Sequence, residues 1–328
     1  MSQTATPTRA RRRRITFAAA AAATALAAGG ILFAGQTGAL AAESSPVGYA
    51  SMNGGTSGGS SGTVVTVTSA SALKSALSAS TSQTVRVSGM ITISGMYNVA
   101  SNKTVIGVGS GSGITGGGLN LSGVRNIIIR NLNFRNAGDD SINVQTNTTN
   151  VWIDHNDLSN GYDGLIDIKR GSDFITVSWN RLHNHDKSML LGHDDGNASQ
   201  DLGHLRVTYV HNWFEGTGQR HPRVRFANPV HVLNNYYSNI GSYGVASTMN
   251  AGVLVERNYF ENVSKPTVTQ TGDSDPGNLK VLNNYKVNSG TEQVRNGASV
   301  AAIPYSYTPE ANNTVKATVQ AGAGTGKI

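Results

Sequence analysis

The chain contains no cysteine, and only 14% of its 328 residues are charged. The absence of cysteine excludes disulfides, thiol catalysis and zinc sites with thiolate ligands. A small secreted domain would need such cross-links, but a chain of this length can bury a large core without them. Leucine-rich helical periodicity is also scarce, whereas valine, isoleucine, threonine, asparagine and glycine dominate the middle of the chain. This composition favours strands and turns.

Apolar runs are short, and the one near the start of the chain has the pattern of an export signal. Five arginines between positions 9 and 14 precede an alanine-rich run from Ile15 to Ala28, and Ala39 and Ala41 form a small-x-small site. We therefore expect a secretory signal peptide over residues 1–41, by the general or the twin-arginine route, and a secreted, extracellular protein. A membrane anchor is the alternative, which the shortness of the run disfavours.

The basic charge balance depends on this same segment. Cleavage after Ala41 would remove the five arginines and lower the formal net charge from +7 to +2. The remaining protein then has little general attraction for nucleic acid, and no recognition motif supports such binding. We expect a monomer with no nucleic-acid partner and no membrane contact after cleavage.

The rest of the chain divides into a short lead-in and one large domain. Residues 42–62 are rich in glycine and serine and predict a flexible lead-in, so the domain is expected over residues 63–328. Within it, residues 69–80 are the one plausible amphipathic helix before the middle of the chain. Leu73 and Leu77 are four apart, and a serine can cap the amino terminus, which predicts a short capping helix.

Seven segments of the domain share one pattern, a short β-branched strand followed by asparagine and a large apolar residue. Their asparagines occupy positions 131, 156, 180, 212, 235, 258 and 284, at spacings of 25, 24, 32, 23, 23 and 26. A period of this size with one strand signal per unit indicates a solenoid. No helix recurs in the units, so we predict an all-β parallel β-helix rather than a leucine-rich or ankyrin array. A β-propeller or sandwich would require hairpins and more strands per period.

Two details of the repeat carry further expectations. The recurring asparagine is expected at the bend after each strand, in left-handed (αL) backbone geometry, with its amide stacked in a ladder. The long step of 32 contains GHDDGNASQDLG, residues 192–203, which predicts an extra loop on one coil.

Charged residues that keep the period should lie above one another in a solenoid, about 4.8 Å apart. Asp140, Asp163, Lys187 and Arg220 follow one another at spacings of 23, 24 and 33, and the last step spans the insertion. Asp167, four residues after Asp163, would share its face on an extended segment. Three carboxylates in this arrangement favour a hard cation, best calcium, although taken alone they would pass as ordinary surface acids. The histidines show no zinc-binding pattern.

A cluster of arginines continues this line of charge. Residues 218–226, GQRHPRVRF, hold three arginines within six positions, beside His221 and Pro222. Cations next to a calcium site require an anion that bridges them. A polymer of uronic acids fits this requirement, with one carboxylate on calcium and others on lysine and arginine.

These residues occur in motifs that closely resemble the pectate lyases of the first polysaccharide lyase family. The motifs are NVWIDHNDLS, YDGLIDIKRGSDFITVSWN, HDKSMLLGHDD and QRHPRVR, and the resemblance extends from about residue 48 to the end of the chain. It implies a right-handed parallel β-helix, bound Ca2+, and cleavage of polygalacturonate by β-elimination.

The resemblance also implies which acids hold the metal. Asp163 and Asp167 match the calcium pair of the family's acid-x-x-x-Asp motif. Asp140 matches the preceding acidic ligand, with Asp139 as the alternative. Gly138 stands where some relatives carry another acid, so that ligand is either absent or supplied by Asp139.

Four basic residues match groups of the family that act on the substrate. Lys187 and Lys169 resemble lysines that contact it, Arg220 resembles the proposed base, and Arg225 is the second arginine of Arg-x-Pro-x-x-Arg. Arg220, Lys187 and Arg225 are therefore the predicted catalytic residues. Neutralisation of the uronate carboxylate by calcium and Lys187 would stabilise a carbanion at C5. Because arginine normally stays protonated, Arg220 requires a desolvated groove crowded with cations to accept a proton.

Three other functions remain open at this point. A hydrolase similar to polygalacturonases would use the acids of GDDSI, residues 138–142, but would leave Lys187 and Arg220 unexplained. A pectin lyase should lack the acidic metal pair. A non-catalytic pectin-binding solenoid needs the same groove, and an Arg220→Ala variant that binds without activity would argue against it.

Two further groups of motif residues invite a catalytic role that we do not assign. Trp152, Asp154 and His155 lie in the WIDH segment and are expected to pack and form a hydrogen-bond network. His221 could act as a general base, but it falls inside a motif whose arginines already have roles.

Overall fold

The structure is a computed structural model that describes residues 1–2 and 43–328. The predicted signal peptide therefore lies outside the described residues, apart from its first two. Across the described ranges, no helix is long and apolar enough to cross a membrane. The strands belong to two sheets in which every neighbouring pair is parallel, and the larger sheet branches so that the coils have three faces.

The first face is a sheet of ten strands, one from each successive coil. Its strands are β1 (Thr63–Val67), β2 (Gln83–Val87), β4 (Lys103–Gly107), β6 (Arg125–Arg130), β9 (Thr149–Asp154), β12 (Asp173–Ser178), β15 (Val207–Val210), β18 (Val230–Leu233), β21 (Gly252–Glu256) and β24 (Asn278–Leu282).

The other sheet has fifteen strands and supplies the second and third faces, which diverge at one long strand. The long strand and its partner are β5 (Gly113–Ser122) and β3 (Met90–Asn98). The second face contains β8 (Ile142–Gln145), β11 (Ile166–Ile168), β14 (Met189–Leu191), β17 (Arg223–Arg225), β20 (Val245–Thr248) and β23 (Thr267–Val268). The third contains β7 (Asn133–Arg135), β10 (Asp157–Ser159), β13 (Arg181–His183), β16 (Trp213–Glu215), β19 (Tyr236–Ser238), β22 (Tyr259–Glu261) and β25 (Tyr285–Val287).

This architecture is the right-handed parallel β-helix that the repeat and the resemblance predict. The core lies inside the coils because each strand points alternate side chains inward, where equivalent residues of successive coils stack. One such column on the third face runs through Phe134, Leu158, Leu182, Phe214, Tyr237 and Phe260. All six are fully buried, and the last three rings are stacked with centroids 4.9 and 4.5 Å apart.

In the described part of the chain, the helices lie outside or at the end of the coils. The predicted capping helix is confirmed as α1 (Ala70–Ser78), whose Leu73 and Leu77 are buried and whose Ser69 hydroxyl accepts a hydrogen bond from Ala72 N at 3.3 Å. Two other α-helices are α2 (Ala198–Asp201), inside the predicted insertion, and α3 (Val315–Gly322), near the carboxyl end. Short 3-10 turns cover Gly48–Ser51 and Gly297–Ser299.

The asparagine ladder is present, but its residues are not those in the αL conformation. Six amides stack from coil to coil with Nδ2–Oδ1 distances of 2.9–3.1 Å, and they belong to Asn156, Asn180, Asn212, Asn235, Asn258 and Asn284. The αL residue is the one immediately before each of them. Asn131 is itself one of these αL residues, so its place in the ladder was predicted wrongly, and Leu132 occupies that level.

Segments from both ends of the domain pack on the outside of the middle coils. Tyr49 N and Ala50 N donate hydrogen bonds to the hydroxyls of Thr208 and Thr176 at 3.1 and 3.0 Å, and both donor residues are fully buried. The prediction of a flexible lead-in is therefore wrong for Gly48–Ser51, because its aromatic and backbone groups find partners on the first face.

The carboxyl-terminal part makes similar contacts. The Tyr305 hydroxyl lies 2.6 Å from Thr208 Oγ1 and 2.7 Å from His231 Nδ1 on the first face. On the third face, Val315 and Val319 of α3 pack against Tyr236 and Tyr259.

Candidate functional site

The predicted site residues gather where the chain bends into the second face. Asp140, Asp163, Lys187 and Arg220 precede β8, β11, β14 and β17, so parallel pairing of these strands brings the four bends together. Lys187 Nζ donates a hydrogen bond to Asp163 Oδ1 at 2.8 Å. The structure thus brings together the acids and cations that the period of the sequence selected.

The register of the strands differs in detail from the stacking that the residue spacing predicted. The pairing of Ile142 with Ile166 puts Asp140 level with Gly164, and Gly164 N donates to Asp140 Oδ1 at 2.9 Å. Asp163 lies in a bend, whereas Asp167 is in the middle of β11, so the two do not share one face of a strand.

Gly164 allows two buried carboxylates to meet. A Cβ at this position would lie 2.4 Å from Asp167 Oδ1 and 2.8 Å from Asp140 Oδ1, distances that no side chain could accept without displacing them. Carboxylate oxygens of Asp139, Asp140 and Asp163 also lie within 4.8 Å of one another. Both Asp139 and Asp140 therefore belong to the acidic cluster.

The donors of this cluster fit a calcium ion. They are all oxygen atoms, and Ca2+ takes six to eight such ligands in flexible geometry. Sequence reasoning missed one further oxygen, that of Asn143, which pairs in register with Asp167 on the neighbouring strand. Its buried Oδ1 has no hydrogen-bond partner among the described residues. Its spacing of 24 from Asp167 was the available signal.

The pKa values of two acids of the cluster are raised by burial, and the pKa of a third is lowered by a neighbouring lysine. Burial, followed by repulsion from Asp140, raises the pKa of Asp167 to about 7. Burial also raises the pKa of Asp140, although Lys169 opposes the shift. The hydrogen bond from Lys187 lowers the pKa of the half-exposed Asp163 despite some burial. A bound cation would therefore favour the ionised forms of Asp140 and Asp167 and lower the pKa values of both.

Lys169 lies against the acidic pair rather than in the open. Its Nζ is 3.3 Å from Asp140 Oδ2 and 3.7 Å from Asp167 Oδ2, and only 15% of its side chain is exposed. The lysine thus balances part of the charge of the two buried acids. The structure places this predicted substrate-contacting residue at the floor of the site.

The arginines lie on the coil after Lys187, at the far end of the same row of charged side chains, which we call the groove. Arg220 adopts αL geometry with a φ of 65°, and its buried Nε has no hydrogen-bond partner among the described residues. Arg225 is nearly buried, and its Nε donates to Asp195 Oδ1 at 2.5 Å. Burial, with the charges of Arg225 and Arg220, lowers the pKa of Arg223. Crowding of cations is therefore a physical feature of this end.

The WIDH residues pack and form a hydrogen-bond network, as expected, and His221, to which no role was assigned, is also buried. Asp154 is fully buried and accepts hydrogen bonds from Arg130 Nε and Ser178 Oγ, both at 2.6 Å. Trp152 Nε1 donates to the same Ser178 hydroxyl at 2.8 Å. His221 is fully buried between Thr217 and the carbonyl of Tyr243, and burial lowers its pKa to about 4.

Comparison with known proteins agrees with this description. A family model described as pectate lyase matches residues 19–328. The chain is 40% identical over 276 residues to a probable pectate lyase B of Aspergillus terreus, covering 81% of this chain and 84% of the relative. It is 38% identical over 300 residues to a pectate trisaccharide-lyase of Bacillus licheniformis, covering 86% of each.

Solved structures show the same architecture. A pectate lyase from a Bacillus species, crystallised with trigalacturonate, superposes with a TM-score of 0.78 at 32% identity, covering 86% of this chain and 99% of the other. Pectate lyase II of Xanthomonas campestris gives 0.73 at 27% identity, covering 86% and 98%. The family model and these relatives, together with the parallel β-helix, identify the chain as a polysaccharide lyase. The chain belongs to the pectate lyase family.

Proposed function

We propose that the protein is a secreted, calcium-dependent lyase that cleaves α-1,4-linked polygalacturonate by β-elimination and releases unsaturated oligogalacturonides. The observation that supports this best is the juxtaposition of an acidic cluster with a row of cations on successive coils. The Lys187–Asp163 contact of 2.8 Å joins the two. A uronate polymer lying across the coils would meet both.

The metal site would be formed by Asp140, Asp163 and Asp167, with Asp139 as a further oxygen donor. A bound calcium ion would supply positive charge that neutralises a substrate carboxylate and so acidifies the adjacent C5 proton. Asp140 and Asp167 are largely buried, and only Asp163 is half exposed. This difference in exposure suits a metal ion that is held by the two buried acids and remains accessible to the substrate on the side of Asp163.

The basic residues would carry out the elimination. Lys187 and Arg225 bind substrate carboxylates, while Arg220 accepts the C5 proton. The C5–H electrons form the C4–C5 double bond, and the C4–O bond breaks as the glycosidic oxygen leaves and takes a proton from solvent. Arg220 lies among cations at this end of the site, where burial and then the charges of Arg225 and Arg220 lower the pKa of Arg223. Lys169 would act from the floor of the groove.

Features of the chain and its relatives support this proposal over its rivals. A hydrolase would need the two acids of GDDSI free to act as acid and base, whereas Asp140 is buried and accepts hydrogen bonds from Gly164 N and Lys169 Nζ. The acidic pair disfavours a pectin lyase. The relative from Bacillus licheniformis is named a pectate trisaccharide-lyase, which supports the same substrate here.

The experiment is to follow the ultraviolet absorbance of polygalacturonate incubated with the purified protein, with calcium and then with chelator. A rise from the new conjugated double bond that the chelator abolishes is the expected result. Reducing ends without this absorbance would establish hydrolysis instead. Binding without either product would leave a pectin-binding solenoid.

Export and oligomeric state complete the proposal. The basic, apolar and Ala-x-Ala pattern of residues 1–41 supports secretion with cleavage after Ala41. Intact-mass analysis of protein recovered from the culture medium tests the site, and light scattering tests the expected monomer.

A further inference from the structure

The insertion at residues 192–203 contacts the basic end of the groove, although the proposed function gives it no role. Its first half carries Gly192 and Asp195, and both contact Arg225. Gly192 has a φ of +95°, and a Cβ there would lie 2.8 Å from Arg225 Cβ. Glycine therefore allows the loop to lie directly on the arginine.

Asp195 is the centre of a small hydrogen-bond network. Its Oδ1 accepts from Arg225 Nε at 2.5 Å, and both of its oxygens accept from Ser274 Oγ, at 2.8 and 2.7 Å. The same Ser274 hydroxyl accepts a hydrogen bond from Arg223 Nη2 at 2.7 Å. Two loops that are 79 residues apart thus converge on two neighbouring arginines.

The network leaves part of Arg225 available to a ligand. A guanidinium has five N–H donors. Asp195 takes the Nε donor, and the carbonyl of Gly192 takes one on Nη1 at 3.2 Å. Three donors, including both on Nη2, make no hydrogen bond to the described residues. The remaining donors on Nη1 and Nη2 can together hold a carboxylate in a bidentate fashion.

The charges of the network are consistent with an orienting role. Burial opposes ionisation of Asp195, but the hydrogen bonds from Arg225 and Ser274 outweigh it, so its pKa lies below the ordinary value. The carboxylate is therefore charged wherever the enzyme would work. It also reduces the repulsion between Arg225 and Arg223, which would otherwise drive the two guanidinium groups apart.

We propose that Asp195 is a positioning residue that fixes the guanidinium of Arg225 for the substrate carboxylate, with Ser274 as its second anchor. This inference rests on the proposed function. The insertion thus serves as a clamp on the basic end of the groove, and it takes no part in proton transfer itself.

A double-mutant cycle tests the inference. We expect Asp195→Ala to lower kcat/KM on polygalacturonate by on the order of 10²-fold, because a displaced binding group costs about that much. In the Arg225→Ala background the same change should have less than about a twofold effect, because its target is gone. The affinity for trigalacturonate, measured by calorimetry in calcium, should show the same non-additivity.

A matched control lies next to Asp195 in the same loop. Asp194 has 58% of its side chain exposed, contacts His193 and caps Gly196 N, and touches neither arginine. Asp194→Asn removes the same charge and should leave kcat/KM within about twofold of the parent. Ser274→Ala should reduce kcat/KM several-fold, and Asp195→Asn, which keeps an acceptor oxygen, should fall between the parent and Asp195→Ala.

The outcomes separate the inference from the function on which it rests. If the parent protein releases no unsaturated product, the proposed function fails before any variant is compared. If the parent is active and Asp195→Ala matches it, the positioning role is wrong. The positioning role is also wrong if the double variant shows the product of the losses of Asp195→Ala and Arg225→Ala, in both kcat/KM and affinity.

Discussion

At the residue scale, Gly164 determines how closely the two buried acids of the groove approach each other. Its missing side chain leaves the space in which Asp140 and Asp167 meet, and its N–H holds the first of them. An uncharged residue, which a search for charged groups does not find, therefore shapes the acidic cluster.

We expect Gly164→Ala to weaken calcium binding at least about tenfold, because the new methyl group must push one carboxylate out of place. Calorimetric titration with calcium measures the change. Gly138→Ala is the control, since its Cβ would find only an ordinary contact of 3.5 Å with Gly116 O. Equal affinities of the two variants would contradict this account of Gly164.

The raised pKa of Asp167 predicts how calcium and pH act together. Its folded pKa of about 7 lies above the ordinary 3.8, so without calcium this group's contribution to stability is present below pH 4 and is lost as pH rises through 7. Calcium binds the ionised form. The rise in Tm on adding calcium should therefore be larger at pH 8 than at pH 5.5.

Thermal unfolding at both pH values, with calcium or with chelator, measures this difference. In Asp167→Asn the titrating group is absent, so the chelated protein should lose less stability between the two pH values than the parent does. An identical pH dependence in both proteins would show that Asp167 is not the group responsible.

The sequence predicted which acids and cations lie together, but it did not predict the hydrogen bonds that connect them to other loops. A fixed period selected Asp140, Asp163, Lys187 and Arg220 because stacking in a solenoid turns spacing into proximity. Asp195 and Ser274 lie in loops outside the repeat, so no period connects them to Arg225. The floor position of Lys169 depends on its rotamer, which the sequence does not encode in any pattern.

At the element scale, the asparagine ladder ties each coil to the next at one corner. Asn180 shows its chemistry: its Oδ1 accepts from Asn156 N at 3.0 Å, and its Nδ2 donates to Ile153 O at 3.0 Å. The bend before it needs αL geometry, which asparagine also tolerates. This double preference explains why Asn131 was assigned to the ladder although it occupies the bend.

We expect Asn180→Ala to lower the free energy of unfolding by about 3 kcal/mol, because it leaves buried backbone and amide groups without partners. Denaturant unfolding measures the change. Asn98→Ala is the comparison, since Asn98 is an exposed amide that accepts from Asn120 and should cost less than about 1 kcal/mol. Similar losses at the two positions would mean that the ladder adds no special stability.

At the scale of the whole molecule, the coils are stabilised from outside as well as from within. Helix α3 buries Val315 and Val319 against the aromatic row of the third face. The sequence repeat ends before this helix, so periodicity alone could not assign it to a face. The prediction of a single solenoid was correct, and what it lacked was the packing of the flanking segments.

A charged side chain in the interface between α3 and the third face should detach the helix from the coils. Val319→Asp is expected to lower stability by about 3 kcal/mol, because an unpaired carboxylate would be buried beside Tyr236 and Tyr259. Gln320→Asp places the same group on the exposed neighbouring position and should change stability by less than about 0.5 kcal/mol. Thermal unfolding of the two variants distinguishes a packed helix from a loosely associated one.

The contacts of the flanking segments also bear on how the protein resists digestion. In a simple stack of repeats, the outermost units fray first and offer a free end to proteases. Here the segment around Tyr49 is tied to Thr176 and Thr208, and Tyr305 is tied to Thr208 and His231, all in the middle of the stack. A protease that starts from a chain end must therefore first detach the segments around Tyr49 and Tyr305 from the central coils. Only then does it reach the less stable terminal coils. Resistance to proteases that start from a chain end would follow from the positions of these contacts.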